Sequence, residues 1–191
     1  KKTVSDLLFK EGRFNATTQE IADKAGCSHT AIYMYYHNKM NLLQELAIDP
    51  LISLLNTLQT IQNDHQNNPS AFIKDVSLKF MKFAFEHRSM YDLFFTTAGE
   101  RVDTSKPEYE LNHIRIQLFA ILKAAIRENV PNLTDEQALQ HTRMFFYLLH
   151  GMIKTYLDNE ETAAGMTDRL TAILNESIEV MLLGIRERHR E

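Results

Sequence analysis

Hydroxyl, imidazole and aromatic side chains alternate with small apolar residues between positions 17 and 39 of the chain. The segment is TTQEIADKAGCSHTAIYMYYHNK, and helix-forming residues lie on both sides of its single glycine, Gly26. Thr17 or Thr18 can cap a short helix that ends before Gly26, and Ser28 can cap a second one. Hydroxyls, imidazoles and lysines bind phosphate oxygens and base edges, so the chemistry that this segment offers is nucleic-acid binding.

The apolar residues of the two short helices are spaced so that the helices pack against each other. Gly26 permits the sharp turn between them, and small alanines allow the helices to cross closely. The residues that we expect to face the core of this module are Ile21, Ala22, Ala25, Cys27, Ile32 and Tyr36. The outer face of the second helix, which a recognition helix presents to the major groove, then consists of His29, Thr30, Tyr33 and Met34.

This segment resembles the DNA-binding domain of the tetracycline-repressor (TetR) family. That family's pattern has a threonine, Ile-Ala, Ala-Gly-Val-Ser, a tyrosine, an aromatic pair and a lysine followed by leucines. The residues that match it are Thr17, Ile21, Ala22, Ala25, Gly26, Ser28, Tyr33, Tyr35, Tyr36, Lys39, Leu42 and Leu43. Cys27 stands in place of the usual valine. Thr30 and Ala31 stand where a glycine and a threonine are common, at the tip of the recognition helix, so they bear on the operator sequence rather than on the fold.

The resemblance implies a role in DNA binding for individual residues of the segment. Those expected to hold phosphates are Thr17 or Thr18, Tyr33 and Lys39, and those nearest base edges are Ser28, His29, Thr30 and Met34. For Tyr35, a DNA contact and a surface position without any DNA contact are equally consistent with the sequence. For two of these residues an alternative without DNA contact stays open: Ser28 can act only as a helix cap, and Met34 can simply face solvent. Tyr36 is expected to pack in the core rather than to contact DNA.

The rest of the chain predicts an all-α protein, because apolar residues recur at three- and four-residue spacing and no segment alternates like a strand. Nine helices are expected. The first four run from Val4 to Gly12, from Gln19 to Ala25, from Ser28 to Tyr36 and from Lys39 to about Gln62. The fifth begins at Pro69, the sixth runs from Met90 to Thr97, the seventh begins at Pro107, the eighth runs from Thr134 to about Asp158, and the ninth runs from Met166 to the end. Pro50 is expected to interrupt or kink the fourth helix. We place a domain boundary there, with a helix-turn-helix DNA-binding domain at 1–49 and a helical effector-binding and dimerisation domain at 50–191.

Capping signals and apolar stripes fix the expected faces of the longer helices. Asn68-Pro69 and the Thr134–Gln137 capping box begin the fifth and eighth helices, whereas Gly99 to Lys106 is expected to be a loop and Glu160 to Gly165 a turn. One face of the fifth helix is predicted to carry Phe72, Val76, Phe80 and Phe83, and one face of the seventh Leu111, Ile114, Leu118, Ile121 and Ala125. One side of the last helix is predicted to carry Met166, Leu170, Ile173, Ser177, Met181 and Ile185.

Composition excludes several classes of protein. The 191 residues are 44% hydrophobic and 24% charged, which is the balance of a globular protein. The formal net charge of -4 means that DNA contacts must come from a local patch. One cysteine, Cys27, allows neither an intramolecular disulfide nor a thiolate zinc site, and it fits a reducing cytoplasm. No apolar run approaches the roughly 20 residues of a membrane span.

The eight histidines do not form a convincing catalytic or metal-binding pattern. His141 and His150 fall on opposite sides of one helix. Glu108, Asn112 and His113 share a helical face, but one histidine and one carboxylate make a poor metal site. No glycine-rich phosphate loop and no nucleophile elbow is present. We therefore expect neither an enzyme nor a protein with a metal or cofactor.

The resemblance and the apolar surface predict the partners. The eighth and ninth helices carry more apolar surface than one face can bury, so a homodimer on a palindromic double-stranded operator is expected. The leading function is a cytoplasmic repressor controlled by a small apolar effector, and the alternative is a TetR-like adaptor or coactivator that acts through a protein partner. Candidate effector-binding residues are Phe80, Phe83, Phe95, His113, Gln117, Phe145 and Tyr147, unless the core is solid.

Overall fold

The computed structural model describes residues 17–36, 39–96 and 110–190, and these form eight α-helices and no strand. The helices are α1 (Thr18–Ala25), α2 (His29–Tyr36), α3 (Lys39–Asp64), α4 (Pro69–Glu86), α5 (Arg88–Thr96), α6 (Glu110–Asn129), α7 (Asp135–Tyr156) and α8 (Ala163–Arg188). The all-α prediction is confirmed. The predicted helix from Val4 to Gly12 and the predicted loop from Gly99 to Lys106 lie outside the described residues, as does Pro107.

Helices α4 and α7 begin at the caps that the sequence predicts. The side chain of Asn68 accepts a hydrogen bond from the backbone N–H of Ala71, and Pro69 occupies the first turn of α4. At α7, Thr134 accepts from the backbone of Gln137, whose own side chain accepts from the backbone of Thr134. These bonds satisfy donors that a helix N-terminus otherwise leaves without partners.

Pro50 lies inside α3, which continues as a helix on both sides of it. Proline lacks the backbone N–H of a helical hydrogen bond, so the bond that ends at this position is missing from the helix. One helix therefore extends from the helix-turn-helix segment into the larger bundle.

The start of α8 and its buried face differ from the prediction. Thr162 accepts a hydrogen bond from the backbone N–H of Gly165 at 3.1 Å, so the first turn of the helix occupies part of the predicted turn. The buried stripe is Met166, Leu170, Leu174, Ile178, Leu182 and Ile185. Ile173 is exposed and Ser177 and Met181 are only half-buried, so only part of the side predicted from the sequence packs inward. Because α8 is apolar on two sides, spacing alone does not select the side that packs inward.

Helix α4 lies at the centre of the larger bundle and packs against α3, α5, α6, α7 and α8. All four aromatic and β-branched residues predicted for its inner face are buried, and so are the predicted residues of α6 except the half-buried Leu111. Asn129 ties three helices together, because its amide donates to the carbonyls of Pro69 and Ala125 at 2.8 and 2.9 Å and its own carbonyl accepts from Arg186. Among the described helices, none has a stretch long and apolar enough to span a bilayer.

Candidate nucleic-acid interface

The turn between α1 and α2 is built by local hydrogen bonds at both of its ends. Thr17 caps α1, because its hydroxyl accepts from the backbone of Glu20 while the Glu20 carboxylate accepts from the backbone N–H of Thr17 at 2.7 Å. Gly26 ends the helix with φ 67°, a left-handed conformation that glycine adopts without steric cost. Ser28 then caps α2, since its hydroxyl accepts from the backbone of Ala31 at 3.1 Å.

Fewer residues than predicted form the core of this helix pair. Ile21, Ala22 and Ile32 are buried, whereas Tyr36 is half-buried. Ala25 and Cys27 are exposed, so placing them on the inner face was wrong. The two helices have only eight residues each, and the residues that they bury are Ile21 and Ala22 of α1 and Ile32 of α2.

The outer face of α2 exposes large side chains that contribute nothing to the core. Tyr33 is 45% exposed, Met34 76% and Tyr35 81%, and Thr30 is exposed beside them. Large apolar side chains are usually found inside a protein, so a contiguous exposed group of them indicates a binding surface.

His29 connects α2 to α1 and to the exposed face. Its Nε2 lies 2.8 Å from the hydroxyl of Thr18, and its ring meets that of Tyr33 edge-on with centroids 4.8 Å apart. The imidazole is half-buried, and its position is fixed on both sides. The sequence predicted Thr18, His29 and Tyr33 as separate contacts, but it gave no sign of the hydrogen bond between the first two.

The remaining residues predicted to bind DNA include Thr17 and Lys39, and the structure describes the side chain of only the first of these two. The hydroxyl of Thr17 is engaged in the cap and also donates to Glu20 at 3.1 Å. Lys39 begins α3 in the backbone, and its side chain lies outside the described part of the chain. The N-terminus of α1 adds backbone donors and a positive helix dipole, which suit a phosphate.

In the larger bundle, the predicted effector residues fall into two groups. Phe80, Phe83 and Phe145 are buried and Phe95 is half-buried, so these four belong to the interior. Tyr147 is 66% exposed, and His113 and Gln117 are also exposed, so the interior position expected for these three was wrong. Both α6 residues sit on the face opposite Leu118 and Leu122, which take the core positions.

An aromatic cluster surrounds Phe95 at the meeting point of α4, α5 and α7. Its ring centroid lies 5.4 Å from that of Phe80, 4.5 Å from Tyr91, 4.5 Å from Phe94 and 5.9 Å from Phe146. The rings meet edge-on or tilted, as favourable aromatic pairs do. A separate groove of about 550 Å³ along α3 is open to solvent and is lined both by polar residues such as Ser53, Asn56 and Thr57 and by Ile52 and Ile61.

Sequence reasoning missed a polar pair inside this cluster, formed by the buried Tyr91 and the half-buried His150. The hydroxyl of Tyr91 lies 2.7 Å from Nδ1 of His150, whose ring stacks on Phe146 with centroids 5.6 Å apart. Burial, and to a smaller extent Asp92, raises the pKa of Tyr91 above its usual value, so the phenol stays protonated and donates to the imidazole. Burial and then Lys154 lower the pKa of His150, which keeps its Nδ1 free to accept.

No metal centre is present among residues 17–36, 39–96 and 110–190, where no three His, Cys, Asp or Glu side chains converge on one point. His141 and His189 do meet across α7 and α8, with their Nε2 atoms 3.0 Å apart. Two ligands fall short of the four that a structural zinc site requires.

A helix-turn-helix with an exposed second helix, joined by a shared helix to a larger helical bundle, defines a DNA-binding transcriptional regulator. The family model for bacterial regulatory proteins of the tetR family matches residues 6–46. The model for the tetracyclin repressor-like C-terminal domain matches residues 73–181. The chain belongs to the TetR family of transcriptional regulators.

Solved structures agree on the fold across almost the whole chain. The TetR-family regulator PfmR from Thermus thermophilus has a TM-score of 0.65 at 16% identity, over 95% of this chain and 92% of PfmR. The fatty acid degradation regulator FadR from Bacillus halodurans has a TM-score of 0.63 at 15% identity, over 91% and 95%. A variant of TetR from Acinetobacter baumannii AYE, in complex with minocycline, has a TM-score of 0.58 at 21% identity, over 100% and 95%. No curated protein sequence matches the chain.

Proposed function

We propose that this regulator is a homodimeric repressor that binds a palindromic operator through α2 and is released by a small apolar molecule. The observation that carries the proposal is the exposure of three large side chains of α2, those of Tyr33, Met34 and Tyr35. These side chains lie outside the buried core, and the helix that bears them packs against α1 through Ile32. Such a surface is suited to the major groove.

Within this proposal, the side chains of the interface have separate tasks. Tyr33, Lys39 and Thr17 or Thr18 hold phosphates and set the position of the module without selecting a sequence. His29, Thr30 and Met34 face the base edges, where Thr30 or Met34 can contact a thymine methyl group. Ser28 acts first as the cap of α2, and Tyr35 adds a contact at the edge of the groove.

The homodimer is proposed to form through α7 and α8, the eighth and ninth helices expected from the sequence. Both helices carry large apolar side chains that the chain leaves exposed, namely Met144, Tyr147, Ile173, Val180 and Leu183. Gly151 and Gly184 are exposed with open space around their Cα atoms, so a second copy can approach closely. Packing two helices from each copy into a four-helix interface would bury this surface.

The effector is proposed to bind at the aromatic cluster around Phe95, with Phe80, Phe83 and Phe145 behind it. Binding sites for small molecules are mostly apolar with a few polar groups for orientation, and here the Tyr91–His150 pair supplies such groups. One relative of this fold is in complex with minocycline, which supports a small-molecule effector for this chain too.

Control by such an effector is proposed to pass through α3. The helix starts beside α2 at Lys39 and packs against α6 and α5 farther along, so it connects both sites in one rigid element. We place the division between the DNA-binding part, 1–49, and the effector-binding and dimerisation part, 50–191, within this helix. An effector shifts the regulator between two spacings of its recognition helices only by its difference in affinity for them.

The experiment is a gel-shift titration of DNA flanking the chain's own gene, followed by footprinting. We expect the protein to protect one discrete inverted repeat. Tyr33→Ala should weaken binding to this repeat without lowering the melting temperature of the protein. Glu136→Gln, at an exposed position on α7, is the matched control and should leave binding unchanged. Failure to bind any fragment, together with capture of a specific protein partner, would instead favour a TetR-like adaptor.

A further inference from the structure

Arg115 on α6 is a half-buried cation that faces an aromatic ring. Its guanidinium carbon lies 5.2 Å from the centroid of the Phe94 ring, and Phe94 itself is only 2% exposed. Over the described ranges of the chain, no carboxylate forms an ion pair with Arg115 and no acceptor forms a hydrogen bond with it. Other arginines are bound to carboxylates, as Arg127 is to Asp135 at 2.7 Å and Arg169 to Glu161 at 2.8 Å.

A partly desolvated charge without a counter-charge is unfavourable, because the water that it loses is not replaced. Burial lowers the pKa of the Arg115 guanidinium, and no acidic neighbour among the described residues opposes the effect. The face of the Phe94 ring recovers part of the lost solvation by a cation–π contact. A ring face engages the plane of a guanidinium and leaves its N–H groups, which point outward in that plane, for an anion.

The Arg115 guanidinium and the Phe94 ring lie at the border of the aromatic cluster around Phe95. Phe94 meets Phe95 edge-on at 4.5 Å, and Phe95 in turn contacts the rings of Tyr91 and Phe146. Phe95 and Phe146 are only half-buried, so part of the apolar surface of the cluster to which Phe94 belongs remains accessible. A molecule with an apolar body and one anionic end fits such a combination of groups.

We propose that Arg115 binds the carboxylate of an amphipathic organic acid whose apolar body lies against the Phe94–Phe95 side of the aromatic cluster. This inference rests on the proposed effector site and specifies the chemistry of its ligand. One guanidinium balances one negative charge and its parallel N–H donors match the two oxygens of a carboxylate, so a monoanion is favoured over a phosphate dianion.

A purely structural role for Arg115, as a cover for Phe94, makes a different prediction. A cover would be indifferent to the charge of a bound molecule, and its removal would lower the melting temperature of the free protein. For a ligand-binding cation, Arg115→Gln instead removes the preference for a charged probe over its neutral analogue, whatever its effect on the melting temperature of the free protein.

The test is calorimetric titration of the full chain with 4-phenylbutanoate and with its neutral amide, 4-phenylbutanamide. The wild type should bind the acid about 10- to 100-fold more tightly than the amide, the effect of one charge-assisted hydrogen-bonded pair. Arg115→Gln should lose this preference and bind the amide as before, and Arg115→Lys should retain part of it. Arg190→Gln, which removes an exposed arginine beyond the end of α8, should leave the preference intact.

Equal binding of acid and amide by the wild type, absence of acid binding up to about 10 mM, or an acid preference that survives in Arg115→Gln would each overturn the inference. The comparison of the two probes needs no variant, so a poorly folded Arg115→Gln would not prevent the decision. DNA binding is measured in the same preparations without probe. If the repressor proposal is wrong, the preparations will not bind DNA. If the anion site is wrong, the calorimetric titration will give no preference for the acid over the amide.

Discussion

The hydroxyl of Thr18 lies 2.8 Å from Nε2 of His29, and this bond joins the first helix of the helix-turn-helix to the first residue of the second. His29 is also held by Tyr33 one turn further along α2. A residue at the tip of the recognition helix is thereby oriented by the helix behind it. Because a well-placed side chain loses less conformational entropy on binding, we expect the bond to contribute to operator affinity.

Thr18→Val should therefore weaken binding to the preferred operator about 2- to 10-fold, since the net value of one hydrogen bond is about 0.5–1.5 kcal/mol. Substitution of His29 should change the preferred base by about 1–3 kcal/mol. In a double-mutant cycle measured by fluorescence anisotropy, the two effects should not add. Thr57→Val, which removes a hydroxyl that donates to the carbonyl of Ser53 within α3, is the control. Full additivity would mean that the Thr18–His29 bond is irrelevant to DNA binding.

Lys39→Ala should weaken binding to every DNA sequence and leave the order of preference unchanged, because phosphate contacts carry no sequence information. The slope of log K against log salt concentration should become shallower by about one unit for each subunit changed. Lys82→Ala, on the exposed surface of α4, should leave the slope as it is. A change in base preference at constant salt slope would contradict the assigned role.

Acidification from about pH 7.5 to about pH 5.5 should lower the free energy of unfolding. Burial lowers the pKa of His87, His141 and His150 from 6.5, so the unfolded chain binds more protons in this range than the folded one. Their stabilising contribution is complete above pH 6.5 and declines as the pH falls through the folded-state pKa values. Urea unfolding at each pH measures this.

His150→Gln should reduce that pH dependence, since glutamine can accept from Tyr91 without titrating. His113→Gln removes an exposed imidazole and serves as the matched control. If both variants had the pH dependence of the wild type, the Tyr91–His150 pair would not be a source of it.

Ile173→Glu or Leu183→Glu should convert the proposed dimer into a monomer. Each puts a charge into the apolar stripe that the second copy would cover, and a buried unpaired charge costs several kcal/mol. Sedimentation at micromolar concentration should then detect one chain instead of two, and operator binding should fall with it. Gln59→Glu places the same charge on the exposed surface of α3 and should leave the mass unchanged. A monomeric wild type would rule out the dimer and its palindromic operator.

Local chemistry made much of this structure predictable from the sequence. The caps at Asn68 and Thr134 and the turn at Gly26 depend on residues within a few positions of one another, and each was expected. The first cap was expected at Thr17 or Thr18, and the structure has it at Thr17. The exposed face of α2 was also expected, because helical periodicity separates it from Ile32. The TetR pattern itself combines these local features, which explains why the family could be predicted.

Relations between distant residues were not predictable in the same way. Tyr91 meets His150, and Arg115 meets Phe94, only because α5, α6 and α7 are brought together by the core. In α8 two apolar stripes lie side by side, and the contact with α4 determines that Leu174 rather than Ile173 faces inward. His113 has the same helical spacing as a pocket residue, but the packing of α6 turns it to the surface.

The most direct test of DNA binding through α2 is selection of DNA from a random pool by the full chain, with Tyr33→Ala selected in parallel. We predict that the wild type enriches one inverted repeat whose half-sites are separated by about one helical turn or a multiple of it, as two recognition helices of a symmetric dimer require. The variant should enrich the same repeat far less. A wild-type pool that remains random, or an enrichment that Tyr33→Ala leaves untouched, would contradict the claim that the exposed face of α2 binds DNA.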